Sequence, residues 1–278
     1  MRVTIFGASG LLGKELTREW RGDEIIGLSS GDADLRDASR VLGAVERARP
    51  DWIVLTAAYT DVDGCESNQE LAFSINRDGA INVARAALRV GARLLFLSSD
   101  YVFDGKKSSP YEVGDPCNPQ SVYGRSKAEA EVGLLQVLPQ CCIVRTSWLF
   151  GVGGKCFPDT ILKLASTRPA LDVVNDQRGC PTYAVDLARA IVQLCRKGAS
   201  GIVHVTNSGD CSWFVFAREL VKVAGLGVEV RPASSQQMAR PAPRPAYSVL
   251  SSTSLQAYAI AMPAWQDAMR RYLEQRAI

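Results

Sequence analysis

Histidine occurs once in the 278 residues, at His204. A metal centre or an imidazole-driven active site therefore has almost no raw material, because both need clustered or well-placed ligands. Net charge is also small: the value is +3, too little for nucleic acid or an anionic membrane to be the main partner. No apolar run approaches the ~18 residues of a membrane-spanning helix. The chain opens on a strand-like run, Met1 to Phe6, without the apolar core and small-residue cleavage site of a secretory leader. A cytoplasmic protein is expected. The eight cysteines are Cys65, Cys117, Cys141, Cys142, Cys156, Cys180, Cys195 and Cys211, with no CxxC pair among them. Reduced thiols are expected, and no cysteine-based metal site. Cys141 and Cys142 lie in the apolar run CCIVRTSWLF and read as small buried hydrophobes.

The remaining composition, 47% hydrophobic and 22% charged, is that of a soluble globular chain. Apolar strands alternate with helical stretches over the first half. The strands are Arg2–Phe6, Glu24–Leu28, Trp52–Thr56, Arg93–Ser98 and Cys142–Thr146. The helices run from Leu11 to Trp20, Ala38 to Arg49, within Leu71–Val90 and from Val122 to Val137. Continuous apolar strands with intervening helices predict a parallel sheet covered on both faces, and right-handed crossovers then give a doubly wound α/β fold of Rossmann type. The expected division is a dinucleotide-binding domain over 1–150, with a returning segment near 175–205, and a smaller substrate-binding lobe over most of 151–278. In that second part, helices are expected at Thr160–Ala165, Tyr183–Arg196, Trp213–Val223 and Trp265–Gln275, and a strand at Gly201–Thr206.

The first strand runs into Gly7-Ala8-Ser9-Gly10-Leu11-Leu12-Gly13, a GxxGxxG turn that opens the first helix. Gly7 permits the tight turn, Gly10 lets a pyrophosphate approach the backbone, and Gly13 lets the helix pack on the sheet. The free N–H groups and dipole of the helix N-terminus favour an anion there. The plain alternative is a structural βα turn. At the tip of the second strand the sequence reads Gly27-Leu28-Ser29-Ser30. An acid there would bind a ribose 2′-hydroxyl and repel a 2′-phosphate. Neither acid nor arginine occurs, so Ser29 and Ser30 accept NADPH or NADH, with a lean towards NADPH. Asp34 and Leu35 are expected at the adenine edge, or Asp34 as the N-cap of the following helix.

Tyr123 and Lys127 stand four apart, on one face of a helix. A lysine cation beside a tyrosine favours the phenolate and brings its pKa towards neutrality, where proton transfer is most effective. Alone, YxxxK arises by chance on exposed helices. Here the fourth strand also ends in Ser98-Ser99-Asp100, at the carboxyl edge of the sheet where a hydroxyl can bond a substrate carbonyl. Glycine turn, strand-end hydroxyl and YxxxK in this order point to carbonyl reduction by a nicotinamide cofactor.

The segments GASGLLG (7–13), LTAAYTDVDGCE (55–66), SSDYVFDG (98–105), NPQSVYGRSKAEAE (118–131), RTSWLFG (145–151), NDQRGCPTYAVDLA (175–188) and GIVHVTNSGDCSWFVFA (201–217) span nearly the whole chain. In them the sequence resembles the extended short-chain dehydrogenase/reductases, and within these the dTDP-4-dehydrorhamnose reductases. The resemblance implies that Tyr123 protonates the C4 oxygen of a keto-sugar nucleotide, that Lys127 holds the nicotinamide ribose, and that Ser99 supplies the hydroxyl usually given by a threonine. It implies that Ser98, Ala57, Ala58 and Tyr59 line the cofactor. Thr60, Val62, Asp63, Asp100, Tyr101, Phe103, Trp148 and Arg178 are implied to face the sugar. Trp148 has a plain alternative as core, and His204 reads as structural. Some members of the group dimerise through Mg²⁺ held by acidic side chains. Glu15 would serve, but Val185 stands where a second glutamate is expected, which leaves the metal and a homodimer open.

Three rival functions follow from the same resemblance. A nucleotide-sugar dehydratase would carry an Asp-Glu pair after the strand-end hydroxyl, whereas Asp100 is followed by Tyr101. A reductase of another dTDP-sugar would use identical hydride chemistry. A cofactor-binding regulatory subunit, like that of methionine adenosyltransferase, would not need Ser99, Tyr123 and Lys127 together.

Overall fold

The computed structural model describes residues 1–276. Six parallel strands make the central sheet: β1 (Arg2–Phe6), β2 (Glu24–Leu28), β3 (Trp52–Leu55), β4 (Arg93–Ser99), β5 (Cys142–Thr146) and, from far along the chain, β10 (Gly201–His204). Their spatial order is β10-β5-β4-β3-β1-β2. The order reverses beside β1, and a doubly wound sheet binds ligands at such a switch point, beyond the carboxyl ends of its strands.

Alternation along each strand divides the core into two faces. Trp52 and Val54 of β3 point to one side, where they meet Leu12 and Leu16 of α1 (Leu11–Glu19) and Leu187, Ile191 and Leu194 of a helix at Ala184–Arg196. Ile53 and Leu55 point to the other side, against Val41 and Val45 of α2 (Ala38–Ala48). Burying one such aliphatic side chain stabilises by roughly 1.5–3 kcal/mol. Asp37, not Asp34, caps α2 by accepting from the N–H groups of Ser39 and Arg40.

The segment after β3 forms α3 (Val62–Ser67), α4 (Gln69–Phe73), one π-helical turn at Ser74–Asp78 and α5 (Gly79–Val90). After β4 comes α6 (Val122–Val137). The second half adds short strand pairs: β6 (Leu149–Phe150) with β9 (Thr182–Tyr183), β7 (Ala170–Val174) with β12 (Glu229–Ala233), and β8 (Arg178–Gly179) with β11 (Cys211–Ser212). Its helices are α7 (Phe157–Ala165), α8 (Ala184–Arg196), α9 (Trp213–Val223), α10 (Thr253–Gln256) and α11 (Trp265–Arg276). Phe150, Ile161, Leu171, Phe216, Leu220, Trp265 and Tyr272 build a separate apolar core there. The pairs β7/β12 and β8/β11 were not expected. β12 reads EVRPA, with charges and a proline, a composition that carries little strand signal and suits only an edge.

Candidate active site

Backbone sterics shape the β1–α1 turn. Gly7 sits at φ +91°, and a Cβ there would come 2.7 Å from the Ala57 nitrogen. A Cβ at Gly13 would lie 2.1 Å from the Gly7 carbonyl oxygen. Gly10 caps α1 without a side-chain hydrogen bond, so the first-turn N–H groups stay open to an anion. Lys155 reaches the same cavity from the glycine-rich loop after β6. Its charge suits a pyrophosphate, and the signal that would have found it is a lysine directly after Gly151–Gly154.

At the tip of β2, a cavity of about 210 Å³ is lined by Ser29, Ser30, Asp34, Leu35, Ala57 and Ala58, as expected for an adenosine end, and also by Arg36. Arg36 forms a two-pronged ion pair with Asp34 (2.6–3.1 Å). Asp32 folds back to accept from the N–H (2.8 Å) and hydroxyl (2.6 Å) of Ser29. Arg40 donates to the Gly31 carbonyl at 2.7 Å.

A cavity of about 570 Å³ joins this turn to the carboxyl edge of β4 and β5. Ser9, Gly10, Leu11, Leu12, Gly13, Thr60, Val62, Ser98, Ser99, Asp100, Tyr101, Tyr123, Lys127 and Trp148 all face it. Local structure explains how α6 delivers Tyr123 and Lys127. Ser121 caps the helix through the Gly124 N–H (3.1 Å), and Glu66 accepts from the Val122 N–H (2.8 Å). Gly124 permits close approach, since a Cβ there would meet the Tyr101 carbonyl at 2.2 Å. Buried Asn76 bonds both backbone groups of Tyr59 (2.7 and 3.1 Å) and the Ser126 hydroxyl (3.0 Å), tying the β3 loop to α6. The Tyr101 ring meets Tyr123 edge-on at 5.6 Å.

The electrostatics differ from the expectation at one point. Burial raises the Tyr123 phenol above its ordinary range, opposed by the hydroxyl of Ser99. Lys127 Nζ instead lies 4.3 Å over the Phe96 ring. Burial lowers Lys127 to about 7, opposed by Glu131. Tyr123 is thus held as a neutral phenol here, the form required of a proton donor, and the lysine does not pull it towards the phenolate. Asp100, 1% exposed, is pushed up to about 6 by burial, with the hydroxyls of Ser248 and Ser99 opposing the rise.

Four expected residues lie elsewhere. Phe103 is buried, stacked on Tyr111 at 4.2 Å with its other side near His204; its apolar ring was drawn into a packed cluster. Asp63 is taken up by Arg244 (3.0 Å), Arg240 (3.4 Å) and the Ala242 N–H (3.1 Å) from the proline- and arginine-rich loop. Tyr59 packs with Cys65, Ala72 and Val122 beside Tyr123. Arg178, exposed on β8, pairs with Asp210. Trp148 faces the cavity in left-handed backbone (φ +47°), stacked at 3.5 Å on Trp213. Trp213, Thr146 and Ser147 also line the cavity and carried no signal in isolation. His204 is buried, its pKa lowered to about 3 by burial, and far from ionising. Glu15 pairs with Arg18 at 2.7 Å.

A phenol, a strand-end hydroxyl and a lysine converge on the space beside a glycine-rich turn, and in this the chain is an oxidoreductase of the extended short-chain dehydrogenase/reductase class. More particularly, it belongs to the family described as RmlD substrate binding domain, whose model matches residues 1–278. A dTDP-4-dehydrorhamnose reductase of Mycobacterium tuberculosis (strain ATCC 25618 / H37Rv) is 42% identical over 260 residues, 90% of this chain and 85% of that protein. The spore coat polysaccharide biosynthesis protein SpsK of Bacillus subtilis (strain 168) is 40% identical over 278 residues, 99% of this chain and 98% of its own. The crystal structure of dTDP-4-dehydrorhamnose reductase from Bacillus anthracis str. Ames in complex with NADP superposes with a TM-score of 0.96, at 38% identity over 99% of both chains.

Proposed function

We propose that the protein reduces the C4 ketone of dTDP-4-dehydro-L-rhamnose to the alcohol of dTDP-L-rhamnose, with NADPH preferred over NADH. The observation that carries the reading is the meeting of Ser99, Tyr123 and Lys127 in the same cavity as the Gly7–Gly13 turn. The residues present fit a dinucleotide, because Gly7 and Gly13 form a cradle that a Cβ would fill. Ser9–Gly13 would hold the pyrophosphate with Lys155 balancing its charge. Ser29, Ser30 and Arg36 would meet the adenosine ribose, and Lys127 the nicotinamide ribose. When bound, the nicotinamide supplies the hydride.

The protein's own residues supply the rest. Tyr123, neutral through burial, gives its proton to the C4 oxygen, where negative charge develops. Ser99 bonds the same oxygen and holds the ketone beside Tyr123. Thr60, Val62, Tyr101 and Trp148 form walls against which a sugar can lie. The preference for NADPH rests on charge: Asp34 is neutralised by Arg36 and Asp32 is turned onto Ser29, so neither acid opposes a 2′-phosphate as a free charge, and Arg40 adds a cation at the same end. The protein works in the cytoplasm, where its eight unpaired thiols stay reduced.

The test mixes purified protein with dTDP-4-dehydro-L-rhamnose and follows absorbance loss of NADPH, then of NADH, with the sugar product identified by mass and NMR. Turnover faster with NADPH is expected. Cofactor binding without turnover would refute the reading.

A further inference from the structure

One hydroxyl proton in the cavity has two possible destinations. Ser99 Oγ accepts from the Tyr101 N–H at 3.2 Å and donates its only proton to Asp100 Oδ1 at 3.0 Å. An ionised carboxylate only accepts hydrogen bonds, so while Asp100 is ionised the Ser99 proton is held away from any ketone. A protonated Asp100 reverses the bond. Its O–H donates to Ser99 Oγ, the two lone pairs of Ser99 are then filled by Asp100 and Tyr101, and the serine proton is left free to turn into the cavity. We propose that Asp100 is a positioning residue whose protonation frees the Ser99 hydroxyl to donate to the substrate ketone, so that productive binding of the keto-sugar takes up a proton at Asp100.

Three observations support the assignment. Asp100 lines the same cavity as Ser99 and Tyr123. Its second oxygen, Oδ2, is buried and makes no hydrogen bond of good geometry; the nearby Ser248 hydroxyl only partly offsets burial, an arrangement costly for a carboxylate and cheaper for a neutral acid. Lys127, which lines the same cavity, lies over the Phe96 ring. The titratable groups around it are Tyr101 beside it, Tyr123 on α6 and Cys180 between β8 and β9, each itself destabilised as an anion by the Asp100 charge. Arg244 lies beyond Tyr101, paired with Asp63. Burial accordingly places Asp100 at about 6, so the two forms exchange near neutrality.

The inference rests on the reductase reading, and wild-type turnover checks that reading separately. With NADPH saturating, kcat/KM for the keto-sugar is expected to fall as pH rises through about 6, approaching tenfold per pH unit. The limb in kcat should lie at higher pH, because a bound ketone that accepts from Ser99 favours the protonated form. Asp100→Asn places a permanent N–H donor beside Ser99 and should remove this limb, leaving only the fall through about 7 where Lys127 loses its charge. Ser99→Ala should lower the rate and also remove the Asp100 limb. NADPH binding by fluorescence and thermal unfolding check that both variants fold. A limb that persists through about pH 6 in either variant overturns the proposal. So does an Asp100→Asn protein that binds NADPH but is inactive at every pH.

Discussion

Arg145, 2% exposed, has one purpose that mutation can isolate. Its guanidinium bonds Glu131 on α6 through Nε (3.0 and 3.2 Å) and Nη2 (2.6 Å). It also reaches the Val113 carbonyl (3.4 Å) and Cys117 Sγ (3.2 Å) and lies 5.0 Å from the Phe103 ring centroid. Ser98 donates to the same Glu131. The ion pair therefore clamps β4 and β5 to the helix that carries Tyr123 and Lys127. Arg145→Met keeps an apolar body of similar length but leaves Glu131 ionised, buried and unpaired, a situation that costs about 3–5 kcal/mol. At roughly 2.1 cal/mol/K of unfolding entropy per residue, 278 residues give ~0.6 kcal/mol/K, so Tm should fall by about 5–9 °C. The double variant Arg145→Met/Glu131→Leu removes both charges and should recover about half or more of that loss, since a buried pair contributes little beyond an apolar replacement. Activity should not recover with it. Glu131 raises the pKa of Lys127, and without that carboxylate more of the lysine is neutral at pH 7. Calorimetry and NADPH oxidation, run side by side, separate the two effects. An Arg145→Met protein within about 1 kcal/mol of wild type, or a double variant less stable than the single, would refute the reasoning.

Tyr123→Phe removes the proposed proton donor but keeps the ring against Tyr101; the rate should drop roughly 10²–10⁴-fold with NADPH affinity retained, and an unchanged rate would exclude Tyr123 from the chemistry. Gly13→Ala drives a Cβ to 2.1 Å from the Gly7 carbonyl; NADPH binding by fluorescence should be lost, with stability reduced by about 1–3 kcal/mol. Arg36→Ala should raise KM for NADPH about tenfold or more, the size of one charge-assisted hydrogen bond, while KM for NADH stays within about twofold; equal effects on both would sink the preference argued for NADPH.

Legibility followed sequence distance. The strands β1, β3 and β5, buried along their whole length or nearly so, could be read because a parallel sheet covered on both faces demands continuous apolar residues. The glycine turn and YxxxK were readable because a handful of adjacent residues sets their geometry. The partners that decide chemistry were not. Lys127 was expected to lower the Tyr123 pKa, but its distance from water, a property of how α6 packs on β4, sets its charge instead. Phe103 and Asp63 carry side chains as suitable for a sugar as Tyr101 and Thr60. Tyr111 and Arg244, each distant from or unmarked near them in sequence, claimed them first.

The amino-acid order alone determined the doubly wound sheet, the glycine-rich turn and the YxxxK pair on which the proposed proton transfer rests. Each depends on local periodicity or on steric demands within a few residues. The tertiary structure decided which groups are desolvated and which hydrogen bonds are already taken: Asp100 near neutrality, Ser99 turned towards it, Asp34 and Asp32 occupied by their neighbours, and Trp148 stacked on Trp213. Burial and hydrogen-bond competition depend on segments brought together from across the chain, and no reading of adjacent residues contains them.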